Sequence, residues 1–254
     1  MGVTTRRQAA KAREESSKWS SRAGFLLFFA APLLIASTAS SVQEAFDETK
    51  LQSLNAAAVR TALCDPNALA TMAVLSVPYW LYWYVWTHAK SWIAFSKRIG
   101  CKSAVSAFGN AAHILKVVQL AALVAYLSAN MEGAESIASR AWNRLASSSP
   151  LALAFGANLC VCGQLLNGAV YKAIGNSGVY YGIRLGEPVP WVSGFPFNII
   201  SHAQYFGTVA TTWGAGILVV LSGVVADDAV GEWYAIILSI TVMYAAVSYV
   251  ESYL

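Results

Sequence analysis

Apolar positions in this chain fall into long runs separated by short polar stretches. The runs lie near residues 24–42, 70–88, 108–128, 150–171, 203–224 and 233–250. Each is close to the length of about 20 mostly apolar residues that a helix needs to cross a bilayer. The pattern predicts an all-α, polytopic membrane helical bundle with five to six transmembrane helices.

Composition strengthens that expectation. Of 254 residues, 57% are hydrophobic and only 12% charged, about half the charged share of an ordinary soluble domain. Because cytoplasmic flanks of membrane helices carry the excess of Lys and Arg, the charges also predict an orientation. The leader carries Arg6, Arg7, Lys11, Arg13, Lys18 and Arg22, whereas the next loop is acidic, with Glu44, Asp47, Glu48 and Asp65. The loop after the second run holds Lys90, Lys97, Arg98 and Lys102 without an acid; the one after the third balances Glu132 and Glu135 against Arg140 and Arg144; the one after the fifth has Asp227, Asp228 and Glu232. The first, third and fifth loops are therefore expected on the lumenal side, and the second loop, the fourth loop and the C-terminus in the cytosol.

Three regions follow: a polar, basic cytosolic leader over 1–23, a retained signal anchor with its lumenal loop over 24–60, and a membrane domain over 61–254. The apolar FLLFFAAPLLIASTASS after the leader has the form of a signal-peptide core followed by small residues, which fits the endoplasmic reticulum membrane. The net charge of +4 resides in membrane-flanking loops and gives no reason to expect a nucleic acid partner. Cys64, Cys101, Cys160 and Cys162 have no zinc-type spacing, and His88, His113 and His202 are far apart, so no metal site is expected. On the third run, Asn110, His113 and Lys116 form a polar stripe at helical spacing, with Lys116 expected to snorkel to the cytosolic interface in preference to contacting the lipid phosphate.

The stretch GFPFNIISHAQYFG, residues 194–207, interrupts the apolar pattern with Pro196, Asn198, His202 and Gln204. The predicted topology puts His202, at the start of the fifth helix, and Glu251, at the end of the sixth, on one membrane face. Ionisable residues at that depth are candidates for function.

The segment GQLLNGAVYKAIGNSGVYYGIRLGEPVPWVSGFPFNIISHAQYFG, with TTWG after it, resembles the signature region of the phospholipid methyltransferases. The resemblance extends from about residue 70 to the end. It rests on the Gly-x-x-Gly-x-Tyr-x-Gly run of Gly175, Gly178, Tyr180 and Gly182, on Gly-Phe-Pro-Phe-Asn, and on the aromatic–glycine pair after His-x-Gln-Tyr. It implies S-adenosylmethionine as methyl donor, and as acceptors phosphatidylethanolamine and its mono- and dimethyl derivatives, taken from the lipid bilayer. Carried over residue by residue, it implies a donor site at Gly163, Gly175, Gly178, His202, Tyr205 and Glu251, facing the cytosol. Three positions depart from the family pattern. The Gly-x-Gly reads Val161, Cys162, Gly163; His202 is followed by Ala203 where a proline is usual; and the acidic pair reads Val250, Glu251.

Methyl transfer to an amine needs alignment of nitrogen, methyl carbon and sulfur, and removal of a proton from an ammonium whose pKa is about 10. Glu251 and His202 are the catalytic candidates, either of which can serve as base. Tyr180, Tyr181 and Trp213, along with Tyr205, are candidates to face the sulfonium or the methylated ammonium, since aromatic faces attract such cations. Two other readings compete: a carboxyl methyltransferase acting on prenylated cysteine, and a non-enzymatic transporter or lipid scaffold.

Overall fold

A computed structural model describes residues 40–131, 137–200 and 202–253. The leader over 1–23, the apolar run from 24 to 39 with its expected anchor role, Glu132, Glu135 and Ser201 lie outside the described residues. No strand occurs among the described residues. The chain runs through α1 (Ser40–Glu48), α2 (Ala56–Cys64), α3 (Pro66–Thr87), α4 (Ala89–Arg98), α5 (Ala104–Ala129), α6 (Ile137–Ser147), α7 (Pro150–Val179), α8 (Gly182–Leu185), α9 (Ala203–Leu221) and α10 (Val230–Tyr253). Five of these segments are long and apolar enough to cross a membrane: α3, α5, α7 with its continuation to Leu185, α9 and α10.

Local sequence explains where the crossings begin. Asp65 caps α3 by accepting from the Ala68 N–H, and Pro66 follows at the first helical position, where its missing N–H is harmless. Ser103 caps α5 and Ser149, followed by Pro150, caps α7 in the same way. Inside α3, Pro78 removes one backbone donor and crowds the preceding turn. The Leu75 carbonyl in that turn accepts a hydrogen bond of 2.6 Å from the buried Gln119 amide of α5, which joins the two helices where lipid could not satisfy the group.

The tightest helix pair is α7 with α9. Four glycines make it: a Cβ on Gly163 would lie 2.3 Å from the Gly207 carbonyl oxygen, and one on Gly214 would lie 2.5 Å from that of Gly156. Gly156 and Gly163 on one helix and Gly207 and Gly214 on the other repeat at a seven-residue spacing, so the two pairs line one seam. Small residues allow such close backbone approach where lipid supplies no hydrophobic drive to association.

Contacts between loops follow the alternation predicted from charge. At one end, the Lys50 amine meets Asp227 at 2.6 Å, Arg144 approaches the same carboxylate at 3.7 Å, and Glu48 accepts from the Ser149 N–H at 2.8 Å. The first, third and fifth loops gather there. At the other end, Ser103 and Ser177 both donate to Glu187, at 2.5 and 2.7 Å, and His202 Nε2 lies 3.2 Å from the Ser252 hydroxyl. These join the second loop, the fourth loop and the C-terminal turn of α10. The two serine hydroxyls hold the Glu187 carboxyl below the usual carboxylate range.

Candidate active site

The second end of the bundle is organised by the way α7 finishes. Helical hydrogen bonding continues well past the apolar run, and at Gly175 the backbone turns to φ 64°, a conformation open to glycine at little cost. No atom lies within 4 Å of a Cβ built there, so conformation rather than space selects the residue. Beyond it, Gly178 lies close under the Ile174 side chain. The chain then delivers Tyr180 and Tyr181 into the bundle, both buried. Tyr181 itself adopts the left-handed region, φ 60°, a backbone state that costs about 1–3 kcal/mol for a non-glycine residue and persists only where surroundings enforce it. The enforcing contacts are visible: its ring stacks on Phe108 at 5.2 Å and meets Trp86 edge-on at 5.1 Å.

Its hydroxyl donates to Glu251 Oε1, and the Tyr205 hydroxyl donates to that same oxygen. Tyr205 comes from the first turn of α9 and Glu251 from the last turn of α10, two antiparallel neighbours. His202, at the N-cap of α9, lies flat on Tyr205 with ring centroids 5.9 Å apart and planes 7° apart. Its side chain does not cap its own helix, being turned instead to Ser252. Burial holds the His202 imidazole below its ordinary range, which keeps it neutral near pH 7 with a lone pair on one ring nitrogen. The two sequence candidates His202 and Glu251 are thus brought together with Tyr181 and Tyr205.

Below this group lies a cavity of about 210 Å³. Tyr82, Lys116, Tyr171, Tyr180, Tyr205 and Tyr244 are among its walls. Tyr205 therefore belongs both to the carboxylate group and to the cavity. A proton-ordering chain runs across one wall. His113 Nδ1 lies 2.7 Å from the Gly109 carbonyl, to which it can only donate, and its Nε2 lies 3.4 Å from the Tyr180 hydroxyl. Tyr180 is in turn 2.9 Å from the Tyr171 hydroxyl.

The other sequence-predicted residues fall elsewhere. Gly163 is in the seam between α7 and α9. Gly175 and Gly178 shape the backbone path before Tyr180 and do not line the cavity. Trp213 is two turns deeper on α9, donating to Thr241 at 2.9 Å and stacked on Tyr234 at 5.9 Å. Lys116 does not snorkel to the interface. Its amine points into the cavity and donates to Tyr244 at 3.0 Å, while Asn110 and His113 of the same stripe are exposed. The stretch over 191–200 leaves Trp191 and Phe195 exposed and packs Phe197 against the aromatic cluster around Phe108; it leads into the site through Gln204, which lines the cavity.

Sequence reasoning missed Tyr82, Tyr171 and Tyr244. Gln164, Asn167 and Tyr171 carry a signal that was available: they recur at helical spacing on one face of an otherwise apolar helix, and all three line the cavity.

The family model described as phospholipid methyltransferase matches residues 151–254, which include Tyr171, Tyr180, Tyr181, His202, Tyr205, Tyr244 and Glu251. A phosphatidyl-N-methylethanolamine N-methyltransferase of Arabidopsis thaliana is 38% identical over 141 residues, covering 56% of this chain and 73% of that protein. The chain belongs to the phospholipid methyltransferase family. As a member, it is a membrane methyltransferase, and the transporter or scaffold reading falls away. No solved structure matches it. The part of the phospholipid methyltransferase fold covered by the family match begins at α7 and so contains the glycine seam, the Glu251 group and three of the five helices that wall the cavity.

Proposed function

We propose that the protein transfers methyl groups from S-adenosylmethionine to phosphatidyl-N-methylethanolamine and its dimethyl product, yielding phosphatidylcholine. It would do so in the endoplasmic reticulum membrane with the site facing the cytosol. Support comes foremost from one arrangement, the Glu251 carboxylate fixed by two tyrosine hydroxyls beside a neutral histidine at the head of a polar intramembrane cavity. The activity of the Arabidopsis relative points the same way, as does the basic second loop at this end, with Lys90, Lys97, Arg98 and Lys102.

The donor set suits a zwitterionic, hydroxyl-bearing methyl donor. Glu251 keeps Oε2 outside the bonds to the two tyrosines, which both go to Oε1, so it can accept from a ribose or an amine. The first turn of α9 offers N–H groups that the His202 side chain does not cap, suited to a carboxylate. The donor would supply an electrophilic methyl group for in-line displacement by the lipid amine. Glu251 and Tyr205 would hold the headgroup and donor in line, and alignment of this kind contributes several kcal/mol to lowering the barrier. His202, neutral by virtue of its burial, would take the proton that the lipid ammonium must lose before it attacks.

The test uses membranes from cells expressing the chain, labelled S-adenosylmethionine, and the unmethylated and monomethyl lipids supplied separately, with Glu251→Gln in parallel. Label in phosphatidylcholine from the monomethyl lipid, lost in the variant, is the expected result. Label from phosphatidylethanolamine would add the first methylation. A folded protein that labels no phospholipid would refute the proposal and favour a prenylcysteine acceptor.

A further inference from the structure

Lys116 sits in the apolar stretch of a crossing helix, twelve residues from the start of α5 at Ala104, roughly 18 Å along the axis at 1.5 Å per residue. A charge at such depth is expensive unless paired. Lys116 forms no ion pair with a carboxylate among the described residues. Its amine contacts Tyr244 Oη and the faces of the Tyr79 and Tyr244 rings, 6.0 and 5.5 Å to their centroids. A hydroxyl supplies an acceptor but no counter-charge, and two of the three ammonium donors are left for something else. The Tyr79 hydroxyl, on a side chain only 1% exposed, also lacks a partner.

The cavity that Lys116 enters is flanked by α5 and α7, and there the polar side chains of His113, Gln164 and Tyr171 line it and are exposed. Exposed hydrogen-bonding groups between two membrane-crossing helices suit a ligand that arrives through the bilayer with a polar head. Glu251, the opposite charge, is reached from Tyr244 through the Tyr205 ring, 5.3 Å away centroid to centroid. Residues 244 and 251 are seven apart on α10, roughly 10 Å along its axis. A phosphate and an amine joined by two carbons, with a charge-assisted hydrogen bond of about 2.8 Å at each end, cover a comparable span.

We infer that Lys116, positioned by Tyr244, binds the phosphodiester of the lipid acceptor and makes the enzyme selective for phospholipids over other lipid amines. This rests on the proposed acceptor, a phospholipid amine. The same ammonium could instead meet the carboxylate of the methyl donor, and the experiment separates the two anions.

The acceptors compared are phosphatidyl-N-methylethanolamine and a diacyl lipid of equal chain length carrying an N-methylamine without phosphate, in identical mixed micelles. The wild type should favour the phosphodiester in kcat/KM by about 10- to 100-fold, the range for one charge-assisted hydrogen bond. Lys116→Met should bring that ratio close to one, mainly through KM for the phospholipid, and Lys116→Arg should restore part of it. Binding of S-adenosylhomocysteine, measured by calorimetry, should be unchanged in Lys116→Met, which also verifies folding. A ratio kept while affinity for that ligand falls would overturn the inference and assign Lys116 to the donor. Equal loss with both acceptors would overturn it as well, leaving a structural role. Native mass spectrometry of retained lipid reads the same selectivity without turnover. Phosphodiester retention lost in Lys116→Met, with no methylation by the wild type, would uphold the binding site while refuting the proposed reaction.

Discussion

Replacing Gly163 by alanine separates a packing role from a donor-contact role. The new Cβ would stand 2.3 Å from the Gly207 carbonyl oxygen, 2.3 Å from Thr211 Oγ1 and 2.8 Å from the Thr211 backbone nitrogen. Two of those three atoms are backbone, so no rotamer change relieves the overlap. Ordinary van der Waals contact is about 3.5 Å, and α7 and α9 must part by roughly 1 Å. Overpacking of this kind costs about 1–3 kcal/mol. Since α9 carries Gln204, Tyr205 and Thr208 to the cavity, a displacement of about that size lowers turnover by up to about 100-fold. Gly168→Ala is the control, on the same helix and with nothing within 4 Å of its Cβ. Thermal unfolding in detergent and labelled methyl transfer should show Gly163→Ala impaired in both, and Gly168→Ala close to wild type. A Gly163→Ala protein of wild-type stability that loses only donor affinity would refute the packing argument.

Tyr205→Phe removes one of two hydroxyls from Glu251, and loss of a hydrogen bond to a charged group, about 1.5–3 kcal/mol, should reduce kcat/KM by about 10- to 100-fold; wild-type kinetics would show that the bond does not hold the carboxylate for catalysis. Glu187, held below the ordinary carboxylate range by Ser103 and then by Ser177, contributes stability that is present above its unfolded pKa of about 4.3 and is lost as pH falls through its lower folded value. The difference in thermal midpoint between wild type and Glu187→Gln should thus be present at neutral pH and fade towards about pH 3; a constant difference would contradict it. In sealed microsomes a membrane-impermeant maleimide added outside should label Cys101, in the basic second loop, and spare Cys64 at the opposite end; the reverse pattern would invert the proposed orientation.

The positions of the crossings were legible because apolar runs must match bilayer thickness. The 70–88 run corresponds to α3 at Pro66–Thr87, and the 233–250 run to α10 at Val230–Tyr253. The 150–171 run ended too early: Lys172, Asn176 and Ser177 lower the hydropathy, yet the helix continues to Val179 through the kink at Gly175. Hydropathy reports what faces lipid, whereas backbone hydrogen bonding carries on wherever neighbouring elements cover it. The meeting of His202 with the end of α10 was legible too, since charge alternation assigns both to one membrane face. What could not be read was rotation about each helix axis. Helices apolar on every side give little clue to which residue points inward, so the sequence carries no signal for Tyr82 and Tyr244, nor for the direction that Lys116 takes from its helix.

The glycine seam divides the bundle mechanically. With backbones nearly touching at Gly163–Gly207 and Gly156–Gly214, α7 and α9 behave as one stiff slab, and Tyr171, Tyr180 and Tyr205 ride on it together. On the far side of the cavity α5 is fastened to α3, through Gln119 and Leu75, and meets α7 near Tyr180. Widening between α5 and the slab would part Tyr180 from His113 yet leave the Tyr171–Tyr180 bond intact, since both of its ends ride on the slab. Acyl-chain length and bilayer fluidity should accordingly govern how readily lipids load and leave, while the chemical step proceeds at a pace indifferent to the membrane around it.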